Sequence, residues 1–126
     1  MQLMPNTAFH VTKDKRLKRD SSMLYNIDYN MQVGQQYLSY LMGKPFVSDN
    51  LFYLATAYNA GPGNLFKWQK SAKYHNDPLL YIEVIPSRET RIYIERVMAN
   101  FWAYNLRFGK VHKSMDEVAS GQWPTL

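Results

Sequence analysis

The chain has 126 residues, of which 46% are hydrophobic and 20% are charged. This length suits one domain with a core and is too short for two, and the balance excludes an intrinsically disordered chain. The sequence has no cysteine, which excludes disulfides and thiol catalysis. No apolar run reaches the length of a membrane span, and no signal peptide is visible at the N-terminus.

The net charge of +5 is concentrated in one short segment. Residues 13–19 carry five basic side chains and one acid, which accounts for +4 of the total. Such a run is typical of a solvated loop or helix end, and the alternative is attraction to a polyanion. No aromatic-basic motif accompanies it, so we expect no nucleic-acid partner.

The chain is also rich in aromatic residues, with ten Tyr, six Phe and three Trp. One interpretation is a core built from large rings, because rings at helical spacing usually pack inward. The other is a sugar-binding cleft, where flat rings suit the flat faces of sugars.

Apolar residues recur at three- and four-residue spacing and predict helices throughout the chain. A short helix is expected over residues 5–13, because a proline stands at its first turn. A second helix is expected from Asp28, as its cap, to Gly43. Asp49 or Asn50 is expected to cap the third.

Glycine and proline then divide the chain into further helices. The Gly-Pro-Gly of residues 61–63 ends the third helix and starts the next, because glycine tolerates positive φ and proline suits a first turn. A shorter helix is expected from Asp77 to about Val84. No alternating apolar run bounded by turns appears, so we predict no strand.

The longest helix is expected from Ser87, a good N-cap, to about Phe108. A capping box at residues 114–117 predicts a last short helix, which Gly121 stops. The apolar stripe expected on the longest helix consists of Ile94, Val97, Met98, Phe101, Tyr104 and Phe108.

Three motifs occur in order along the chain. Residues 1–8 read Met-Gln-Leu-Met-Pro-Asn-Thr-Ala, residues 57–63 read Ala-Tyr-Asn-Ala-Gly-Pro-Gly, and residues 85–93 read Ile-Pro-Ser-Arg-Glu-Thr-Arg-Ile-Tyr. Together they resemble the catalytic domain of soluble lytic transglycosylases, the lysozyme-like enzymes that cleave peptidoglycan. The resemblance implies an all-α, lysozyme-like helical domain over residues 1–108, incomplete at its N-terminal side. A C-terminal tail with one short helix follows over residues 109–126.

The resemblance also implies a reaction. Lytic transglycosylases cleave the β-1,4 bond between MurNAc and GlcNAc and form 1,6-anhydro-MurNAc. One essential glutamate protonates the bridging oxygen and then accepts the proton of the muramic acid 6-hydroxyl, which closes the anhydro ring without water. In the family this glutamate precedes the Met-Gln dipeptide, so we expect it to be absent from these residues. We therefore expect little cleavage by this chain alone.

The same resemblance assigns residues to the cleft. Tyr58 is implied to lie near the catalytic glutamate, and the alternative is that it only completes the stripe of its helix. Glu89 is implied to support the site by hydrogen bonding, and the alternative is a first-turn acid that only stabilises its helix. The resemblance thus implies supporting roles in catalysis for Tyr58 and Glu89. The substrate-binding residues implied are Gln2, Met4, Tyr58, Asn59, Ala60 and Glu89.

We predict no metal or cofactor, because His10, His75 and His112 are isolated and no cysteine accompanies them. The expected partner is the glycan strand of peptidoglycan, and the expected location is the bacterial cell envelope, in the periplasm. Two alternatives stay open. The chain could be a non-catalytic peptidoglycan-binding remnant, or a basic helical module that binds polyanions through residues 13–19.

Overall fold

The computed structural model describes Lys13 and residues 26–126, which belong to two compact units, Met1–Lys44 and Pro45–Leu126. The described part contains six α-helices and no strand, so the all-α prediction is confirmed. None of these helices is long and apolar enough to cross a lipid bilayer. Of the helix predicted over residues 5–13 and of the basic residues 13–19, the structure describes only Lys13.

The first unit contributes α1, Ile27–Met42. Its N-cap is Asn26, whose Oδ1 accepts a hydrogen bond from the Tyr29 amide at 3.0 Å. The prediction that Asp28 caps this helix is wrong, because Asp28 lies in the first turn, where a carboxylate complements the helix dipole. The helix ends before Gly43, as predicted. Its buried residues follow helical spacing and are Val33, Gly34, Tyr37 and Leu41.

The second unit contains the other five described helices. They follow one another closely along the chain and, apart from the longest, have ten residues or fewer. Their bounds are α2 Leu51–Ala60, α3 Pro62–Ser71, α4 Pro78–Val84, α5 Arg88–Arg107 and α6 Lys113–Ala119.

Helix α2 is central to the second unit. Asn50 caps it, as one of two predicted candidates, because its Oδ1 accepts hydrogen bonds from the amides of Phe52 and Tyr53 at 3.1 Å. Six of its ten residues are buried, which is more than one stripe. The reason is that α2 packs against both α3 and α5.

Short-range signals set the ends of α2, α3 and α4. Gly61 has φ +94°, a value that other residues rarely adopt, and Pro62 then begins α3. Gly63 lies inside α3 without a positive φ, so the turn depends on Gly61 and not on both glycines. Asp77 caps α4, as its Oδ1 accepts hydrogen bonds from the amides of the second and third helical residues at 3.0 and 3.2 Å.

Helix α5 begins as predicted, with the Ser87 Oγ accepting a hydrogen bond from the Thr90 amide at 3.2 Å. The predicted apolar stripe is correct as far as Phe101, which is half-buried and packs against the His112 ring at 4.9 Å between centroids, and wrong beyond it. Tyr104 and Phe108 are 65% and 60% exposed. Helical spacing identifies which face of a helix is apolar, but not how far along it the neighbouring helices extend.

The predicted capping box of α6 is wrong. His112 is the N-cap, and its Nδ1 accepts a hydrogen bond from the Ser114 amide at 3.1 Å. The Ser114 side chain is buried, and its Oγ accepts a hydrogen bond from Trp102 Nε1 at 2.8 Å. The Glu117 carboxylate accepts hydrogen bonds from Thr125 instead of from the start of the helix. The Thr125 amide and hydroxyl both donate to its Oε1 at 3.0 Å.

The last residues return to the start of α2. The Leu51 amide donates to the Pro124 carbonyl at 2.9 Å, and the Leu126 amide donates to the Asp49 carbonyl at 3.1 Å. The Trp123 ring packs against three tyrosines at centroid distances of 4.8–5.9 Å. We call these four rings the aromatic cluster: Tyr53, Tyr74, Tyr81 and Trp123. The division into residues 1–108 and a tail of residues 109–126 stays a prediction.

Candidate functional site

A groove of about 440 Å³ lies between the C-terminal end of α2 and the first half of α5. Its lining combines an amide, a carboxylate, two guanidinium groups, a phenol and an aliphatic side chain. Such a mixture suits a ligand that is polar at its edges and apolar on its faces. The residues that line the groove are Asn59, Arg88, Glu89, Ile92, Tyr93 and Arg96.

One hydrogen bond holds the two sides of the groove together. Thr90, which is 2% exposed, donates from its Oγ1 to the Oδ1 of Asn59 at 2.8 Å. Because this bond uses the Asn59 oxygen, the NH₂ group remains as the donor that Asn59 offers to a ligand. The bond joins residues that are 31 positions apart, one from the Ala-Tyr-Asn-Ala-Gly motif and one from the Glu-Thr motif.

The charged groups of the groove are exposed and available. Arg88, Glu89 and Arg96 have no hydrogen-bond or ion-pair partner among the residues that the structure describes. The nearby Arg91 differs, because its Nη1 donates to the Glu83 carbonyl at 3.2 Å and anchors α5 to the end of α4. The groove therefore presents two cations and one anion to a ligand.

Tyr93 adds a hydroxyl that stays protonated at neutral pH. Partial burial of this side chain raises its pKa above the usual value of 10.0. Ile92, at 40% exposure, adds apolar surface one helical residue away. The pair adds a donor and apolar surface to the lining of the groove.

Sequence comparisons identify the family of this chain. The family model described as "Transglycosylase SLT domain" matches residues 1–80. The chain belongs to this family. It is 35% identical over 101 residues to the soluble lytic murein transglycosylase of Escherichia coli (strain K12), an alignment that covers 79% of this chain and 15% of that protein. The family resemblance drawn from the motifs is confirmed.

Other relatives give the same result. The soluble lytic murein transglycosylase of Salmonella typhimurium is 34% identical over 101 residues, covering 79% of this chain and 15% of that protein. A putative soluble lytic murein transglycosylase of Haemophilus influenzae is 32% identical over 109 residues, covering 84% and 18%. The chain thus spans less than a fifth of the length of these relatives. No solved structure matches this chain.

The groove of this SLT domain brings together two of the expected site residues. Asn59 and Glu89 both line it. Tyr58 and Ala60, which flank Asn59 at the end of α2, are half-buried and do not line the groove. The Tyr58 hydroxyl oxygen is buried, and the Ala60 carbonyl accepts a hydrogen bond from an asparagine side chain of α3 at 2.7 Å.

Two further expected residues, Gln2 and Met4, lie outside the residues that the structure describes. Their assignment to a cleft, like the roles of Tyr58, Ala60 and Glu89, stays a prediction. No group of three or more His, Cys, Asp or Glu side chains that could hold a metal ion occurs within the described residues.

Sequence reasoning missed four residues of the groove. Three of them, Arg88, Ile92 and Arg96, follow one another at intervals of four, so they share a face of α5. The fourth, Tyr93, stands four residues after Glu89. This spacing was the available signal. Extending the face of Glu89 along the predicted helix would have identified these positions.

Proposed function

We propose that the groove between α2 and α5 binds glycan strands of peptidoglycan. We further propose that the domain is part of a lytic transglycosylase. This enzyme cleaves the MurNAc–GlcNAc β-1,4 bond and forms 1,6-anhydro-MurNAc. The observation that carries this proposal is the Thr90–Asn59 hydrogen bond, because it unites two family motifs at one groove. Family membership supplies the reaction class.

The polar groups of the groove match the needs of N-acetylated sugars. An N-acetyl group offers one carbonyl acceptor and one N–H donor, and sugar hydroxyls do both. The Asn59 NH₂ group and the Tyr93 hydroxyl are donors, while the Glu89 carboxylate is an acceptor. Ile92 offers an apolar surface to a sugar face. The α2 wall therefore offers a donor, and the α5 wall offers a donor and an acceptor.

In this proposal Glu89 accepts hydrogen bonds and is not the proton donor. It lies exposed in the first turn of α5. A general acid for glycosidic cleavage must stay protonated near neutral pH, which usually requires a buried, apolar environment. No Asp or Glu side chain within the described residues is buried. We propose that the acid is supplied from outside them, and that the 126-residue chain binds glycan without efficient cleavage.

The proposal is tested by measuring binding and products separately. The chain is incubated with purified sacculi, bound protein is measured by sedimentation, and anhydromuropeptides are measured by mass spectrometry. We expect sedimentation with the sacculi but little anhydro product. A longer version that carries the family's upstream glutamate should release anhydro product.

Substitutions in that longer version test Glu89, which lines the groove, and Tyr58, which does not line it but which the family resemblance places near the catalytic glutamate. Glu89→Gln and Tyr58→Phe should reduce anhydro-product formation, whereas Glu95→Gln, on an exposed α5 residue outside the groove, should not. Equal activity of the Glu89 and Glu95 variants would remove Glu89 from the site. Substantial anhydro product from the 126-residue chain would contradict the assignment of the acid.

By the same reasoning we propose that the protein acts at the bacterial cell envelope, in the periplasm, since its substrate lies there. A peptidoglycan-binding domain without catalysis is the other outcome of this experiment. It would be indicated if the longer version bound sacculi and still produced no anhydro product.

A further inference from the structure

We propose that Arg88 and Arg96 form a carboxylate-binding subsite along the groove, which distinguishes muramic-acid-containing strands from neutral glycans of the same length. The inference rests on the proposed glycan-binding function and deepens it. It concerns two residues to which neither the motifs nor the family assignment gave a role.

The spacing of the two arginines defines the subsite. Arg88 and Arg96 are eight residues apart on α5 and both line the groove, with Ile92 midway between them. Eight residues at a rise of about 1.5 Å place their backbones roughly 12 Å apart along one helix face. The intervening Ile92 is 40% exposed, so an apolar surface separates the two cations. A ligand along this face meets a charge, an apolar patch and a second charge.

Both guanidinium groups are available for a ligand. Neither has a hydrogen-bond or ion-pair partner in the part of the chain that the structure describes, and both residues are exposed. By contrast, the Arg91 guanidinium is occupied by the Glu83 carbonyl. The only acidic residue of the lining is Glu89, so the lining carries an excess of one positive charge. The groove therefore attracts anions.

Carboxylates are the anions that a peptidoglycan strand carries. Each muramic acid has a lactyl ether, which ends either in a free carboxylate or in a peptide stem that has carboxylates of its own. A glycan built from N-acetylglucosamine alone carries none. A guanidinium binds a carboxylate with two parallel hydrogen bonds, a geometry that an uncharged sugar does not offer. The two arginines therefore select for muramic acid through its pendant carboxylates.

The test compares three glycans of equal sugar number by isothermal titration calorimetry with the 126-residue chain. They are a neutral N-acetylglucosamine oligomer, a muramic-acid-containing oligomer stripped of peptides, and the same oligomer with its peptide stems. We expect at least one of the two anionic glycans to bind about tenfold more tightly than the neutral one at low salt. Preference for the stripped oligomer would identify the lactyl carboxylate, and preference for the other would identify the stem. In about 1 M salt the preference should largely disappear.

The double variant Arg88→Gln/Arg96→Gln should lose this preference, so that the three glycans bind it with similar affinity. The matched control is Arg107→Gln, which removes an exposed arginine of α5 that does not line the groove. Thermal unfolding should be the same for all variants, because each removes an exposed side chain. A preference that survives in the double variant, or is lost equally in the control, would overturn the inference.

Two further outcomes separate this inference from the function on which it rests. Equal binding of all three glycans by the unmodified chain would overturn the carboxylate subsite and leave the glycan groove intact. Binding of none of them would overturn the glycan groove and, with it, the subsite.

Discussion

The groove and the C-terminal residues of the second unit both contain several polar side chains. The two regions differ in whether these side chains have hydrogen-bond partners within the protein. Near the C-terminus, the Glu117 carboxylate accepts hydrogen bonds from the Thr125 amide and hydroxyl, and Ser114 accepts one from Trp102. In the groove, the charged side chains meet no partner among the described residues. Polar groups that are satisfied within the protein stabilise the fold, whereas exposed ones around a concavity are available to a ligand.

Aromatic residues show the same contrast. Tyr81 of the aromatic cluster is fully buried, and this burial raises the pKa of its hydroxyl strongly. Its hydroxyl bonds to the Thr56 Oγ1 at 2.6 Å, so it is committed to the core. Tyr93 of the groove is only half-buried. Of the two interpretations of the aromatic content, the core applies to the cluster, and the cleft stays a proposal for Tyr93.

The largest expected effect is on the C-terminal side of this comparison. Trp123→Ala removes a ring that contacts three tyrosines of the cluster, and a hydrogen bond from its Nε1 to Asn76 at 2.8 Å. We expect the free energy of unfolding to fall by about 2 kcal/mol, less than for a fully buried aromatic residue, because Trp123 is half-buried. Urea unfolding followed by circular dichroism measures this, and glycan binding by the folded protein should not change.

The conservative variant Trp123→Phe is the control, because it keeps a ring in place and should recover most of the stability. A loss below about 0.5 kcal/mol in Trp123→Ala, the size typical of a surface substitution, would show that the C-terminal residues are not part of the core.

A smaller effect on the free energy of unfolding is expected at Thr90, whose hydrogen bond to Asn59 also affects the groove. Thr90→Val keeps the shape of the side chain but removes the hydrogen bond to Asn59. We expect a loss of about 1–2 kcal/mol in unfolding free energy, because the Asn59 oxygen loses its partner. Glycan binding should also weaken severalfold, since Asn59 is no longer oriented. Calorimetry of glycan binding, together with urea unfolding, measures both.

The matched control is Thr56→Val, in another buried threonine of the same unit. Its Oγ1 donates to the Phe52 carbonyl at 2.7 Å and bonds with Tyr81 in the core, away from the groove lining. We expect a similar loss of stability and unchanged glycan binding. If the two threonine variants bound glycan equally well, the Thr90–Asn59 bond would be structural only.

The smallest effect concerns pH. The pKa of the Glu117 carboxyl is lowered, chiefly by the hydrogen bond from the Thr125 amide. Because the pKa is lower in the folded state, the stabilisation is present above the ordinary value of 4.5 and is lost as the pH falls through the lower folded value. We expect attachment of the C-terminal residues to weaken only in acid, below about pH 4.5. Nuclear magnetic resonance of the Thr125 amide against pH measures this.

Glu117→Gln keeps an acceptor oxygen and removes the titration, so the Thr125 signal should become insensitive to pH in this range. Persistence of the same titration in Glu117→Gln would assign it to another group and contradict the role given to Glu117.

Local chemistry made several features of this protein predictable from the sequence. Asn50, Asp77 and Ser87 cap their helices as expected, because a short polar side chain needs only the amides two or three residues ahead of it. Gly61 and Pro62 likewise act within one turn. The family followed from three motifs read in order.

Long-range contacts decided the rest. Ser114 has the residue type of a cap, yet its side chain bonds Trp102, and His112 caps the helix instead. Asn59 and Thr90 meet only because α2 and α5 pack together. A pattern of spacing specifies which face of a helix is apolar and where it begins, because those are properties of neighbouring residues. Which helix covers that face, and which polar groups it leaves open to a ligand, depends on residues that are distant in the chain, and tertiary packing alone decides it.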